Sequence, residues 1–285
     1  MKIGVQTAFS AAIPPSLIAE MGRVVEARGF HSLWLPEHVL FFREYASRYP
    51  YSEDGRIPGD PDGVMEPITA LSFVAAHTER IRLGTGICIV PQRNPVYTAR
   101  QVADLDYLSG GRVDFGIGVG WLREEFEALG VPFARRGART EECLQVMKTL
   151  WCDEVSRFEG EFFQLPPCLQ NPKPVQKPHP PLVFGGESEA AFRRVARLGQ
   201  GWFGYGFDPD GLAQALASLD AALEREGRSR SELQIHVTPP HIHFDDGSVD
   251  RYRELGVDQL ILPLFARDED SLQRRADKLA RLLPR

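Results

Sequence analysis

Three short stretches carry residues whose types and spacing could do chemistry. In residues 108–122, LSGGRVDFGIGVGWL, three glycines (Gly116, Gly118 and Gly120) alternate with Phe115, Ile117 and Val119. Side chains alternate between the two faces of a strand, so the glycines share one face and leave a slot with exposed backbone N–H groups. Such a slot suits a flat ring or a phosphate. Equally, the glycines could relieve crowding inside a narrow barrel. The spacing is not G-x-G-x-x-G, so the dinucleotide fingerprint fails. In the second stretch Gly185 and Gly186 follow an apolar run, and Glu187 and Ser188 open a helix. A strand, a glycine pair and a helix N-terminus aim free N–H groups and the helix dipole at an anion; an ordinary turn is the plain alternative. In the third, Glu37 and His38 follow the apolar run 32–36. A histidine there could pass a proton. Glu37 could orient it, meet a substrate group, or form a strand-end salt bridge.

Other candidates are weaker. Trp34, Trp121, Trp202 and Tyr205 fall near strand ends and could wall a pocket or simply pack in the core. Gln6 could reach a pocket floor. Asn94 reads as a helix cap, and Arg93 as an exposed arginine or an anion contact. His241 and His243, with Asp245 and Asp246 nearby, could suggest a metal, but no third ligand stands at a diagnostic spacing, so no metal is expected. No G-x-S-x-G nucleophile elbow occurs.

The elements that must position these residues alternate regularly. Short apolar, β-branched strands are expected at 2–8, 32–36, 82–90, 112–119, 182–186, 201–205, 234–238 and 259–264. Helices are expected at 16–28, 67–77, 95–109, 124–129, 138–152, 189–198, 212–226, 249–255 and 271–283. An eightfold strand–helix alternation in one chain is the pattern of a (β/α)8 TIM barrel, with a doubly wound open sheet as the alternative. Two excursions interrupt it: an aromatic loop at 38–63 after the second strand, and a small hairpin at 157–165 with a proline-rich insertion at 166–181 before the fifth strand. A loop that long reads as a lid or binding loop. No linker divides the chain, so residues 1–285 read as a single domain.

Bulk properties narrow the function. Hydrophobic residues make up 43% and charged residues 25%, ordinary for a globular enzyme or binding protein. The net charge is −6 and no basic stripe occurs, which argues against nucleic acid as a partner. No apolar run of membrane-spanning or signal-peptide length occurs, so no membrane association is expected. The four cysteines form no C-x-x-C pair and read as reduced thiols of a cytoplasmic protein.

The segment RLGTGICIVPQRNPVYTARQVADLDYLSGGRVDFGIGVGW resembles the signature of the bacterial luciferase-like flavin oxidoreductases, and FHSLWLPEHV, FEGEFFQL and PPLVFGGESEAAFRRVARLGQGW follow that resemblance in the same order. The chain is most similar to the group dependent on coenzyme F420, a deazaflavin. Many relatives carry Asp where this chain has Gln200. The resemblance implies a barrel binding F420, or alternatively FMN, at the C-terminal ends of its strands. It implies a bulge that ends the third strand around Gly86 and Ile87, with a cis peptide between them, backing the coenzyme ring. It implies that Gly118, Val119, Gly120 and Trp121 form one phosphate- and chain-binding turn, and Gly185, Gly186, Glu187 and Ser188 the second. Catalysis then falls to His38, with Glu37 beside it.

The expected function is hydride transfer between F420 and a small organic substrate. One alternative is an FMN-dependent monooxygenase supplied by a separate flavin reductase; another is a non-catalytic flavin-binding protein. Phe41, Phe42, Tyr45, Tyr49 and Tyr51 in the long loop suggest an apolar or aromatic substrate. The resemblance also implies a homodimer.

Overall fold

The computed structural model describes residues 1–57, 63–240 and 246–284. Eight parallel strand positions close into a barrel. In chain order they are β1 (Lys2–Gln6), β2 (Ser32–Leu35), β3 (Arg82–Thr85) continued by β4 (Cys88–Ile89), β5 (Val113–Gly118), then β8 (Leu182–Gly185), β9 (Gly201–Tyr205), β10 (Gln234–Thr238) and β11 (Gln259–Pro263). The sheet runs β3-β2-β1-β11-β10-β9-β8-β5-β4, and pairing of β3 with β5 closes the ring. The open-sheet alternative is thereby removed. The structure is the expected (β/α)8 TIM barrel.

Helices α1 (Pro15–Ala27), α2 (Pro67–Ala75), α3 (Pro95–Leu108), α4 (Arg123–Ala128), α5 (Arg136–Cys152), α6 (Glu189–Leu198), α7 (Pro209–Arg225), α8 (Asp246–Glu254) and α9 (Glu269–Ala280) pack around it. α1, α2, α3, α5, α6 and α7 bury apolar faces, while short α4 buries Glu125 beside Phe126. In α1 the stripe is Leu17, Ile18, Met21, Val24 and Val25, and Gly29 with φ +84° ends it in the left-handed conformation that glycine accepts without penalty. β6 (Ser156–Glu159) and β7 (Gln164–Cys168) form the small antiparallel hairpin ahead of the proline-rich chain. The expected third strand at 82–90 is broken in two, and Val90 belongs to a short 3₁₀ turn, Val90–Gln92. Of the long loop, residues 58–62 lie outside the described residues, as do His241, His243 and Asp245. No helix among the described residues is long and apolar enough to cross a membrane, and the four cysteines are free thiols.

Two cores result. The larger lies between barrel and helices. The smaller, Trp34 with Val183, Phe203 and Ile261, fills the barrel itself. Trp34 is completely buried, and its indole N–H donates to Ser32 Oγ at 2.7 Å. The ring fits because Gly84 opposite has no side chain: a Cβ there would lie 2.2 Å from Trp34 Cδ2. Below it, Arg82 and Asp114 form a bidentate pair, Nε to Oδ2 at 2.8 Å and Nη2 to Oδ1 at 2.5 Å, near the N-terminal end of the barrel. Trp34 is therefore a plug, not a pocket wall. Trp202 also belongs to a core, packing against Phe192 and Phe207.

This packing yields a test. Gly84→Ala is expected to lower stability by about 3 kcal/mol, the upper end for overpacking a closed core. Trp34→Leu in the same chain should recover part of that loss. Thermal denaturation of both single variants and the double variant measures the coupling; additive effects would mean the two residues do not compete for the same space.

Candidate functional site

The C-terminal ends of the strands form the mouth of the barrel, where barrel ligands bind. Its central feature is a bulge. Gly84 pairs with Asp114 and Cys88 pairs with Ile117, so β3–β4 carries one residue more than β5 over the same span. Thr85, Gly86 and Ile87 make up the bulge, and the Gly86-Ile87 peptide is cis. Thr85 Oγ1 donates to the Gly116 carbonyl at 2.7 Å. A Cβ at Gly116 would lie 1.7 Å from the Thr85 carbonyl oxygen, and one at Gly118 would lie 2.1 Å from Ile87 Cδ1. Ile87 also presses to within 3.0 Å of the corresponding position at Gly185. The slot read from the glycine spacing is thus occupied by the protein's own chain. Gly116 and Gly118 relieve crowding, and half-buried Ile87 is what that face presents to the mouth.

On one side, Gly120 adopts φ +77° in a turn against Phe126, and its carbonyl accepts from Arg136 Nε at 2.9 Å. Phe133 packs beneath two guanidinium groups, Arg123 at 4.4 Å and Arg136 at 3.9 Å. Burial and the nearby Arg123 lower the Arg136 pKa. Arg194 on α6 is lowered by burial, with Glu141 opposing and Arg193 and Arg136 adding. All of these groups stay charged, since guanidinium remains protonated throughout the range proteins experience. The same helix begins at Ser188, whose Oγ accepts from Ala191 N at 3.2 Å. Gly186, at φ +100°, turns the chain into it, and its carbonyl is held by Trp202 Nε1 at 2.9 Å. Glu187 is exposed. Gln200 serves packing, accepting from Leu182 N at 3.1 Å.

Glu37 and His38 do not act as a pair. Both lie in the chain just past the end of β2, and their side chains find different partners. Glu37 is buried and accepts from the Ile89 N–H and from Arg93, with Nε at 2.8 Å. Arg93 also reaches Glu66 Oε1 at 2.5 Å, and Glu66 caps α2 through Ile68 N and Thr69 N. Both Glu37 oxygens are therefore engaged, and the expectation that it assists His38 is corrected: it is the strand-end salt bridge that anchors β4. Asn94 is the cap read from the sequence, accepting from Val96 N at 2.9 Å.

His38 meets a different carboxylate. Its Nδ1 lies 3.4 Å from Oε2 of Glu125, whose side chain is 1% exposed. Glu125 Oε1 accepts from Val39 N at 2.5 Å and Leu40 N at 3.1 Å, and Oε2 accepts from Gln92 Nε2 at 2.9 Å. Burial pushes this carboxyl up, but the adjacent His38 ring and the bonds from Gln92 and Leu40 outweigh it and hold it below its ordinary value. The preceding Glu124 accepts from Ala46 N at 2.7 Å and Ser47 N at 3.1 Å. Burial pushes the Glu124 carboxyl up, but the Ser47 hydroxyl and the backbone N–H groups of Glu124, Ala46 and Ser47 together outweigh it and hold the group down at about 2. The first turn of α4 therefore staples the loop after β2. The sequence reading missed both glutamates, because acids in a first helical turn read as partners of the helix dipole.

The stapled loop roofs the mouth with aromatic rings. Trp121 packs edge-on against His38 at 5.9 Å, Tyr45 at 6.0 Å and Tyr49 at 5.3 Å. Tyr51 reaches Tyr205 at 5.0 Å. Beneath, Tyr49 and Gln6 draw the Tyr205 phenol down against the larger upward push of burial, and Thr238 Oγ1 lies 3.4 Å from Gln6 Oε1. Burial raises all three phenols, Tyr51 to about 12, so they remain protonated donors. Gln6, Trp121 and Tyr205 thus belong to the mouth.

Residues 1–283 match the family described as luciferase-like monooxygenase. The chain is 35% identical over 248 residues to the uncharacterized protein Rv0940c of Mycobacterium tuberculosis, spanning 85% of this chain and 83% of that one. It is 29% identical over 171 residues to an FMNH2-dependent dimethylsulfone monooxygenase of Pseudomonas putida, 59% of this chain and 47% of that one. Its fold superimposes on an F420-dependent secondary alcohol dehydrogenase, solved with an F420–acetone adduct, with TM-score 0.78 and 17% identity over 99% of both chains.

Two outcomes follow from the carboxylates. Arg93→Met leaves Glu37 buried without its cation and is expected to cost about 3–5 kcal/mol, with Glu37→Gln in the same chain recovering part of it in a denaturant titration. Glu124 and Glu125 have depressed pKa values, so their stabilisation is complete above the ordinary value of 4.5 and lost as pH falls through the folded values. The Tm difference between wild type and Glu124→Ala should accordingly shrink from neutral pH to about pH 2; a constant difference would show that the charge of Glu124 does not hold the loop.

Proposed function

Because the chain belongs to the luciferase-like monooxygenase family, we propose that it is an oxidoreductase using F420 at the barrel mouth to exchange a hydride with a small organic substrate. The observation that carries this reading is the bulge: Ile87 is wedged over Gly118 and Gly185, a rigid apolar backing for a planar ring. A second feature fits a coenzyme with a phosphate. Arg123, Arg136 and Arg194 have no carboxylate within ion-pair distance among the described residues, and they crowd one another beside Gly120 and along the helix capped by Ser188.

Arg136 and Arg194, with the backbone at Gly118–Gly120 and Gly185–Ser188, would hold the phosphate end. The deazaflavin supplies a ring carbon that takes or gives a hydride, since carbon replaces the N5 of an ordinary flavin. His38 takes or gives the accompanying proton at the substrate oxygen. Trp121, Tyr49, Tyr51 and Tyr205 exclude water and offer flat apolar walls, which favours an apolar or aromatic substrate. FMN with a separate reductase is the reading that the P. putida relative favours, because that protein is named as FMNH2-dependent. We further propose a cytoplasmic homodimer joined through the face of α2 and α3, where Phe73, Val96 and Tyr97 are exposed; light scattering at twice the chain mass would agree with it.

The deciding experiment is binding of F420 and of FMN, each followed by fluorescence quenching. F420 is expected to bind more tightly, Arg194→Ala to weaken it about tenfold through loss of a charge-assisted bond, and His38→Ala to leave binding intact while lowering turnover about 100-fold or more. Preference for FMN would transfer the proposal to the monooxygenase reading. Binding of neither below about millimolar, roughly −4 kcal/mol, would overturn the site.

A further inference from the structure

We propose that Glu125 is the positioning residue for His38: it fixes the neutral imidazole as the Nδ1–H tautomer and leaves Nε2 as the nitrogen that accepts a proton. This rests on the reading of His38 as the proton-handling group. Glu125 is a buried carboxylate with no arginine or lysine in ion-pair contact among the described residues; its ionisable neighbour is His38. A buried charge without a cation must be satisfied by donors. Three are in place, the N–H groups of Val39 and Leu40 on Oε1 and the Gln92 amide on Oε2. The remaining group facing Oε2 is His38 Nδ1, itself buried and without another partner.

An unprotonated Nδ1 would set its lone pair against the carboxylate's. A protonated Nδ1 donates to it. The 3.4 Å separation is longer than a fully formed bond, within the range that tightens when a site is filled. The ring cannot turn away easily, since Phe41 packs on it at 5.3 Å and Trp121 at 5.9 Å, both edge-on. The bond made by one ring nitrogen then decides what the other can do. Glu125 also holds the two backbone groups that follow His38, so the same carboxylate sets the position of the residue and the state of its ring.

Glu125→Gln separates this role from loop anchoring. Val39 and Leu40 both donate to Oε1, so the amide oxygen must take that place. The amide NH2 then takes the place of Oε2 and faces Nδ1, while Gln92 can turn its own amide to accept. The loop stays anchored, but the polarity of the one contact to His38 is inverted. Two-bond proton–nitrogen correlation spectra of histidine-labelled protein, at a pH where the ring is neutral, read the tautomer directly, and His38→Ala identifies the signal. Wild type is expected to show Nδ1–H, and Glu125→Gln to show Nε2–H. An Nε2–H wild type, or the same tautomer in both proteins, would overturn the proposal. The wild-type spectrum alone decides the first point if the variant fails to fold. With a substrate in hand, Glu125→Gln should lower kcat at least about tenfold with KM and coenzyme affinity unchanged, as expected when a base holds the wrong tautomer. Should His38→Ala keep full turnover while the wild-type ring is Nδ1–H, the catalytic reading fails and the positioning assignment stands.

Discussion

Space inside the barrel is the constraint on which everything else depends. Eight strands enclose room for only a few large side chains. Trp34 takes the middle, which requires glycine at position 84. The bulge at 85–87 takes the upper level, which requires glycine at 116 and 118 and leaves contact distance at 185. Filling the interior with the chain itself makes the floor of the mouth rigid. A side chain resting there would flex; Ile87 wedged among glycine backbones has nowhere to go.

Electrostatics divides the mouth along the same lines. Glu37 and Glu125 are both buried acids, yet their partners give them opposite duties. Glu37 is neutralised by Arg93 and tied to the Ile89 N–H, so it locks the strand beyond the bulge. Glu125 has donors but no arginine or lysine, so its charge is left to act on the one titratable ring beside it. Across the mouth, Arg123, Arg136 and Arg194 stand together with no carboxylate in ion-pair contact among the described residues, and only Glu141 acts on Arg194 from farther off. On the proposed reading, one end meets an anion and the other handles a proton, with the apolar Ile87 between them.

The sequence was legible where structure is local. Short apolar runs between glycine and proline marked the strands of the barrel to within a few residues, Asn94 caps the helix it was read to cap, and of Glu187 and Ser188, read as opening α6, Ser188 is the cap. What failed was anything needing a distant partner. The glycine row correctly marks one face, but Ile87, which fills it, lies about thirty positions earlier. The run at 82–90, RLGTGICIV, reads as one continuous strand from its own residues; the extra residue at 85–87 was implied by the family resemblance, because a bulge is defined only against the partner strand β5. Glu37 beside His38 invited a pairing, but folding gives each a distant partner instead, Arg93 and the Ile89 N–H for Glu37 and Glu125 for His38. Glu125 carried no mark, since its partners come from the β2 loop and from Gln92, and only folding brings them together.

The roof ties these parts into one device. Glu124 and Glu125 are adjacent in one helical turn, and each grips a different part of the loop after β2: the chain directly after His38, and the chain at Ala46 and Ser47 just ahead of Tyr49. The turn that orients the imidazole therefore also places the aromatic rings above it. On the proposed reading, the placement of the roof and the state of the His38 ring are tied by the covalent adjacency of Glu124 and Glu125, without any need for a signal to cross the barrel.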